Sequence, residues 1–169
     1  MFKWFLLCGF TLMILAGCAN GAAPETHSTT ETPRVRTPTA VPATAEEAIR
    51  QLINAECESV VQQDVDRLQA MWAKDGKVID ANHTRDNNAD NVTWQGWAAL
   101  RDRYVNIIFP SNPTFCEHVN LQLTLTDDSA EATGGVKIGQ TNAPSSDRWT
   151  FRNEGEGWQI TSLTYNLQP

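Results

Sequence analysis

Val119-Asn120-Leu121-Gln122-Leu123-Thr124-Leu125 alternates apolar and polar residues along its whole length. A period of two is that of a strand with one buried face and one wet face. Before it, the apolar residues mostly recur at helical spacing. Pro110 and Pro113 stand at the changeover and cannot continue a helix. The chain therefore places helices first and long strands last, an α+β pattern rather than an alternating one.

Upstream, Thr44 followed by Glu47 is a capping-box pattern. Ile49, Leu52, Ile53, Val60 and Val61 then share one helical face with Cys57 on its flank, predicting a helix over 45–62. Asp64 caps a second, shorter helix with Val65, Leu68, Met71 and Trp72 on its buried side and Gly76 soon after its end. Lys77 to Asn82 reads as a strand, His83 to Asn91 as a polar loop and Val92 to Gln95 as a short return strand. Trp97, Leu100, Tyr104, Ile107 and Ile108 predict a third helix reaching Phe109. Downstream, Asp127-Asp128-Ser129 is a turn. Ala132 to Gln140 is a strand in which Gly134 and Gly135 mark a bulge. Asp147 to Arg152 and Trp158 to Leu167 form a closing hairpin over Asn153 to Gly157.

At this point the chain resembles the nuclear transport factor 2-like, SnoaL-like superfamily. The resemblance rests on the order helix, helix, strand pair, helix, four long strands, and on three local patterns. These are Gln63-Asp64-Val65-Asp66 through Met71-Trp72-Ala73-Lys74-Asp75, then Gly96-Trp97-Ala98-Ala99-Leu100, then Asp147-Arg148-Trp149-Thr150-Phe151 with Gly157-Trp158-Gln159-Ile160. It implies a cone-shaped cystatin-like roll, with three N-terminal helices packed on a curved, mainly antiparallel sheet. It implies no single function, because this fold carries isomerases, dehydratases, hydrolases, cyclases and binding modules.

Steroid isomerases of that fold use a basic aspartate, a protonated aspartate and a tyrosine. By the resemblance, Asp80 falls on the first position and Asp147 on the second, while Glu56 stands where the tyrosine would be. Asp80 is then either a desolvated base or a strand-end aspartate bonded to a backbone amide or an arginine. Asp147 shares parity with Trp149 and Phe151, which favours an inward position; a salt bridge at a strand start is the other reading. Glu117 is in phase with Val119 and Leu121 while His118 faces away, unless a bulge swaps them. That pair reads either as an acid and a base or as a solvent-facing strand start. Trp72, Tyr104 and Trp149 form a ligand wall or simply core. With Glu56 they complete the expected pocket.

Residues 1–17 read as a signal peptide: Lys3, then an apolar run from Trp4 to Leu15 too short to span a bilayer. Leu15-Ala16-Gly17-Cys18 resembles the lipobox of bacterial lipoproteins, which implies acylation (palmitate or a similar chain) at Cys18 and attachment to a membrane at the extracytoplasmic face. Residues 18–44 carry Pro24, Pro33, Pro38 and Pro42 among threonines and form a linker unable to build a core. Residues 45–169 are the domain. Cys8 leaves with the signal, so Cys57 and Cys116 remain as a disulfide or as two buried thiols.

A net charge of −7 argues against nucleic-acid binding. Asp86-Asn87-Asn88-Ala89-Asp90 copies half a calcium loop but has Asn91 and Trp97 where the glycine and glutamate belong, so it reads as a solvated loop. With no phosphate loop, zinc-helix motif, Cys-x-x-Cys or nucleophile elbow, no cofactor and no metal are expected. Three functions fit: binding a small apolar or amphipathic molecule without chemistry, isomerase- or dehydratase-type acid–base chemistry on Asp80 and Asp147, or a homodimer or interaction module using the outer sheet face of Asn120, Gln122 and Thr124.

Overall fold

The computed structural model describes residues 44–84, 87–139, 141–142 and 147–167, all within the unit Thr39–Pro169. The signal peptide, Cys18 and the linker up to residue 43 lie outside the described residues, as do Asp86 of the calcium-like loop and Gln140.

Helix α1 spans Ala45–Gln62, and the Thr44 side chain accepts from the Glu47 backbone N–H at 3.1 Å. Helix α2 spans Val65–Met71, capped by Asp64, whose carboxylate accepts from the Arg67 N–H at 3.0 Å. Strand β1 follows without a loop over Trp72–Asp80. Trp72 thus opens a strand instead of closing α2, and Gly76 lies inside β1 rather than beyond a helix. A Cβ on Gly76 would stand 2.8 Å from the Trp72 ring, so only glycine lets the indole fold over the irregular stretch there.

Strand β2 is Val92–Gln95 and helix α3 is Gly96–Arg103. The third helix does not run on as an α-helix to Phe109. Over Tyr104–Ile108 it widens into a π-type turn, in which the Phe109 N–H reaches back to the Tyr104 carbonyl, and a 3-10 turn closes it over Phe109–Ser111.

The remaining strands are β3 (Cys116–Leu125), β4 (Ser129–Ile138), β5 (Thr141–Asn142), β6 (Asp147–Asn153) and β7 (Trp158–Tyr165). They join one sheet of order β2-β1-β7-β6-β4-β3, with β5 beside β4. Only β1 with β7 is parallel. The mainly antiparallel α+β roll is as the sequence predicts.

The alternation in β3 is broken once. The β3–β4 register shifts between Val119 and Gln122, and Asn120 takes a positive φ of 55°. This bulge needs close approach from β4: a Cβ on Gly134 would stand 2.9 Å from the Val119 carbonyl oxygen. The bulge turns Glu117 outward and His118 inward, the swap of phase that a bulge imposes. Between helices and sheet lies the core, with Ile49, Leu68, Val78, Leu100 and Ile160 fully buried. The Cys57–Cys116 disulfide ties α1 to the start of β3, with the two Cα atoms 5.4 Å apart.

Candidate functional site

The core does not fill the whole space between helices and sheet. A cavity of about 280 Å³ lies between α1, the π-type turn after α3, and the inner faces of β3, β4, β6 and β7. Val60, Ile108, Trp149 and Leu163 give it an apolar wall, and Glu56, Arg103, Tyr104, His118, Asp147 and Tyr165 bring polar atoms to it.

Glu56 and Tyr104 are joined. The Tyr104 hydroxyl donates to Glu56 Oε1 at 2.8 Å, and the Trp72 indole Nε1 donates to the Tyr104 oxygen at 3.1 Å. Burial pushes the Glu56 pKa above the ordinary carboxylate range, and the Tyr104 hydrogen bond and the Arg103 charge pull it partly back. Burial and the facing Glu56 carboxyl hold Tyr104 well above its ordinary value, so it stays a phenol and a donor. A tyrosine hydroxyl thus meets Glu56, supplied by the π-type turn. Its proton is directed at Glu56 rather than at the cavity.

Arg103 ends α3 and is only 7 % exposed. Its guanidinium carbon lies 4.9 Å from the centroid of the Tyr165 ring, 5.3 Å from that of Trp94 and 5.9 Å from that of Tyr104. Burial raises the Tyr165 pKa, and the Arg103 charge offsets part of that rise. His118 packs its ring edge against Trp149, centroids 5.1 Å apart. Burial lowers its pKa to about 4, the Ile53 backbone opposing this, and neither ring nitrogen makes a hydrogen bond of ordinary geometry. His118 is therefore a neutral imidazole at physiological pH.

Asp147, 0 % exposed, lines the cavity and has a partner of its own within the fold. Asp80 does not join it. Its Oδ1 accepts from the Asn82 backbone N–H at 2.9 Å and from Asn166 Nδ2 at 2.8 Å, and the Tyr165 hydroxyl is directed at it, so at the end of β1 it stands behind two residues that line the cavity, Tyr165 and Asn166. The two aspartates do not share the cavity wall. Of the expected pocket, Glu56, Tyr104 and Trp149 line the cavity, whereas Trp72 stands behind Tyr104 as its hydrogen-bond donor.

Sequence reasoning missed Arg103, although it lies three residues after Leu100 on the buried helical phase. Strict alternation faces His118 away from Val119 and Leu121 and a bulge turns it inward; Asn120, a residue that tolerates positive φ, is the sequence signal for that bulge. Among the described residues, Cys57, Cys116 and His118 gather their donor atoms within 4.8 Å. With both sulfurs in a disulfide the trio offers a metal one imidazole and no thiolate. No described helix is long and apolar enough to cross a membrane.

No family model and no curated protein matches the chain. Solved structures do. A nuclear transport factor 2-like protein with a cystatin-like fold from Novosphingobium aromaticivorans is 22% identical, with 71% of this chain and 79% of that one covered at a TM-score of 0.55. A nuclear transport factor 2-like protein of unknown function from Pseudomonas putida is 22% identical over 72% of this chain and 84% of that one, TM-score 0.55. The hexachlorocyclohexane dehydrochlorinase of Novosphingobium barchaimii is 17% identical over 71% of this chain and 84% of that one, TM-score 0.54. At such identities the likeness is one of fold: the chain has the nuclear transport factor 2-like, cystatin-like roll.

Proposed function

We propose that this chain is a lipid-anchored extracytoplasmic domain that takes a small, partly apolar molecule into its cone without transforming it. The observation that carries the binding reading is the cavity of about 280 Å³, apolar on one side and lined by a few convergent polar groups on the other. That combination is what small-molecule sites generally offer, and the size, near the lower end for such sites, suits a compact ligand. Anchoring through Cys18 rests on the lipobox resemblance. Chemistry is disfavoured because, of the pair expected to share acid and base duties, Asp147 lines the cavity while Asp80 stands behind it, held by Asn82, Asn166 and Tyr165.

NMR titration of the full chain with small aromatic and aliphatic probes tests the binding. Shifts confined to Tyr104, His118 and Trp149 are expected, and shifts elsewhere only would refute the reading. Cys18→Ala is expected to move the protein from the membrane to the soluble fraction. Retention in the membrane pellet after a high-salt wash would overturn the anchor.

A second reading is favoured by the Tyr104–Glu56 contact. A buried carboxyl with a raised pKa, held by a phenol, is suited to moving a proton in an elimination or isomerisation. The dehydrochlorinase among the fold neighbours performs a reaction of the elimination kind on its own substrate, and its likeness adds only that the fold accommodates such chemistry. Covalent change in any ligand recovered after incubation, abolished by Glu56→Gln, would favour this reading over binding alone.

A further inference from the structure

Arg103 is a buried charged group whose surroundings explain its burial only in part. It is 7 % exposed and reaches the cavity wall. Among the described residues no carboxylate closes an ion pair with it. Its Nε is buried with no hydrogen-bond partner. The rings of Trp94, Tyr104 and Tyr165 surround the guanidinium and favour a cation there. They do not satisfy a planar fork of five N–H donors; the Tyr165 hydroxyl provides one oxygen towards it. A charge buried with donors left open is costly unless an acceptor arrives.

Glu56 is the cavity carboxyl that senses Arg103, but its Oε1 is already taken by the Tyr104 hydroxyl. Burial raises its pKa, and the Tyr104 hydrogen bond and the Arg103 charge offset that only in part, which weakens it as a counter-ion. Asp147 is engaged within the fold. The cation is thus left to a ligand, and its planar fork matches the two oxygens of a carboxylate. The rest of the wall, Val60, Ile108, Trp149 and Leu163, requires an apolar body. A dianion such as a phosphate monoester would bring a second negative charge among Glu56 and Asp147, which a single guanidinium does not balance.

We infer that the cavity takes a small carboxylic acid in its ionised form, the carboxylate received by the Arg103 fork and the apolar body lying against Val60, Ile108, Trp149 and Leu163. This rests on the binding reading above and names the ligand class for the same site.

The test uses three probes with one body and different heads: 3-phenylpropanoate, 3-phenylpropanol and 3-phenylpropylamine. Each is titrated into the full chain by calorimetry or NMR. The carboxylate is expected to bind at least about tenfold more tightly than the alcohol, a charge-assisted pair against a neutral one, with the amine weakest. Arg103→Gln should bring the carboxylate-to-alcohol ratio to about one. Arg103→Lys keeps the charge but not the fork, and should retain only part of the ratio. If Arg103→Gln does not fold, the wild-type ranking and the lysine variant still decide. Equal binding of carboxylate and alcohol by the wild type overturns the carboxylate inference and leaves the pocket reading standing. Preference for the amine overturns it too, and assigns the head-group site to Glu56 and Asp147. An unchanged ratio in Arg103→Gln overturns the role of Arg103. Binding of none of the three overturns both this inference and the pocket reading.

Discussion

The two halves of the space between helices and sheet are built from one stock of residues and end up unlike. In the filled half, Ile49, Leu68, Val78, Leu100 and Ile160 are completely buried and line no cavity. Its polar atom, the Trp72 indole N–H, finds the Tyr104 oxygen. In the hollow half, about 280 Å³ stays open, Arg103 Nε is buried without a hydrogen-bond partner, and the ring nitrogens of His118 make no hydrogen bond of ordinary geometry. Each such group costs about 1–3 kcal/mol relative to a satisfied one. Departures of this kind from full polar satisfaction concentrate at functional sites. The filled half should therefore govern stability, and the hollow half ligand affinity and pH response.

The largest effect is expected from Leu68→Ala in the filled half. It should lose about 3–5 kcal/mol in guanidinium unfolding, while probe affinity in the folded protein stays unchanged. A change in affinity comparable to the loss in stability would mean that the two halves are not separable. Next comes the seam on which the hollow half hangs. The disulfide closes a loop of 59 residues in sequence separation. Its removal by Cys57→Ala with Cys116→Ala should cost about 4 kcal/mol by the chain-entropy estimate, read from denaturant midpoints with and without reductant. A loss below about 1 kcal/mol would leave that estimate untenable here, and packing alone would hold α1 to β3.

The third effect depends on pH and separates the halves most directly. Folded, His118 stays neutral down to about pH 4; unfolded, it takes a proton near pH 6.5. Between those values the unfolded chain binds the extra proton. Its contribution is thus intact above pH 6.5 and is lost as pH falls towards 4, roughly 3 kcal/mol in all. Glu56 acts in the opposite sense: its raised folded pKa means that acid favours the folded state around and above its ordinary value of 4.5. The difference between the stability curves of the wild type and His118→Phe isolates the histidine. A flat difference from pH 7 to pH 4 would mean that His118 is open to water. The smallest effect is expected where the halves meet. Trp72→Phe removes the donor to Tyr104 but leaves the Tyr104–Glu56 bond in place, and should cost about 1–2 kcal/mol. Near-neutrality in a thermal melt would show that the indole N–H adds nothing to the contact.

Much of the scaffold was legible because it is set over short distances along the chain. Helix α1 is capped by Thr44 and spans Ala45–Gln62 as cap and apolar phase predict, and β2 occupies Val92–Gln95 as its sequence predicts. The inward parity of Asp147, Trp149 and Phe151 in β6 follows from alternation alone. The site was less legible. Asp80 and Asp147 stand alike in the motif pattern, yet one is tied up at a strand end by Asn166, 86 residues away in sequence, and the other lines the cavity. No spacing rule separates them, because what distinguishes them is the neighbour that arrives from another strand.

Caps, turn residues and periods of two or 3.6, and with them the α+β order of this chain, were determined by the sequence itself, since each rests on contacts within a few residues. The tertiary structure alone decided which polar groups face the cone. The bulge at Asn120, seated against Gly134, turns His118 inward, and the π-type turn follows directly on Arg103 at the cavity wall. The reason is geometric. A shift of one residue in register exchanges the two faces of a strand, and an added residue in a helical turn re-aims the side chains around it. Both are selected by packing between elements distant in sequence, which no local pattern encodes.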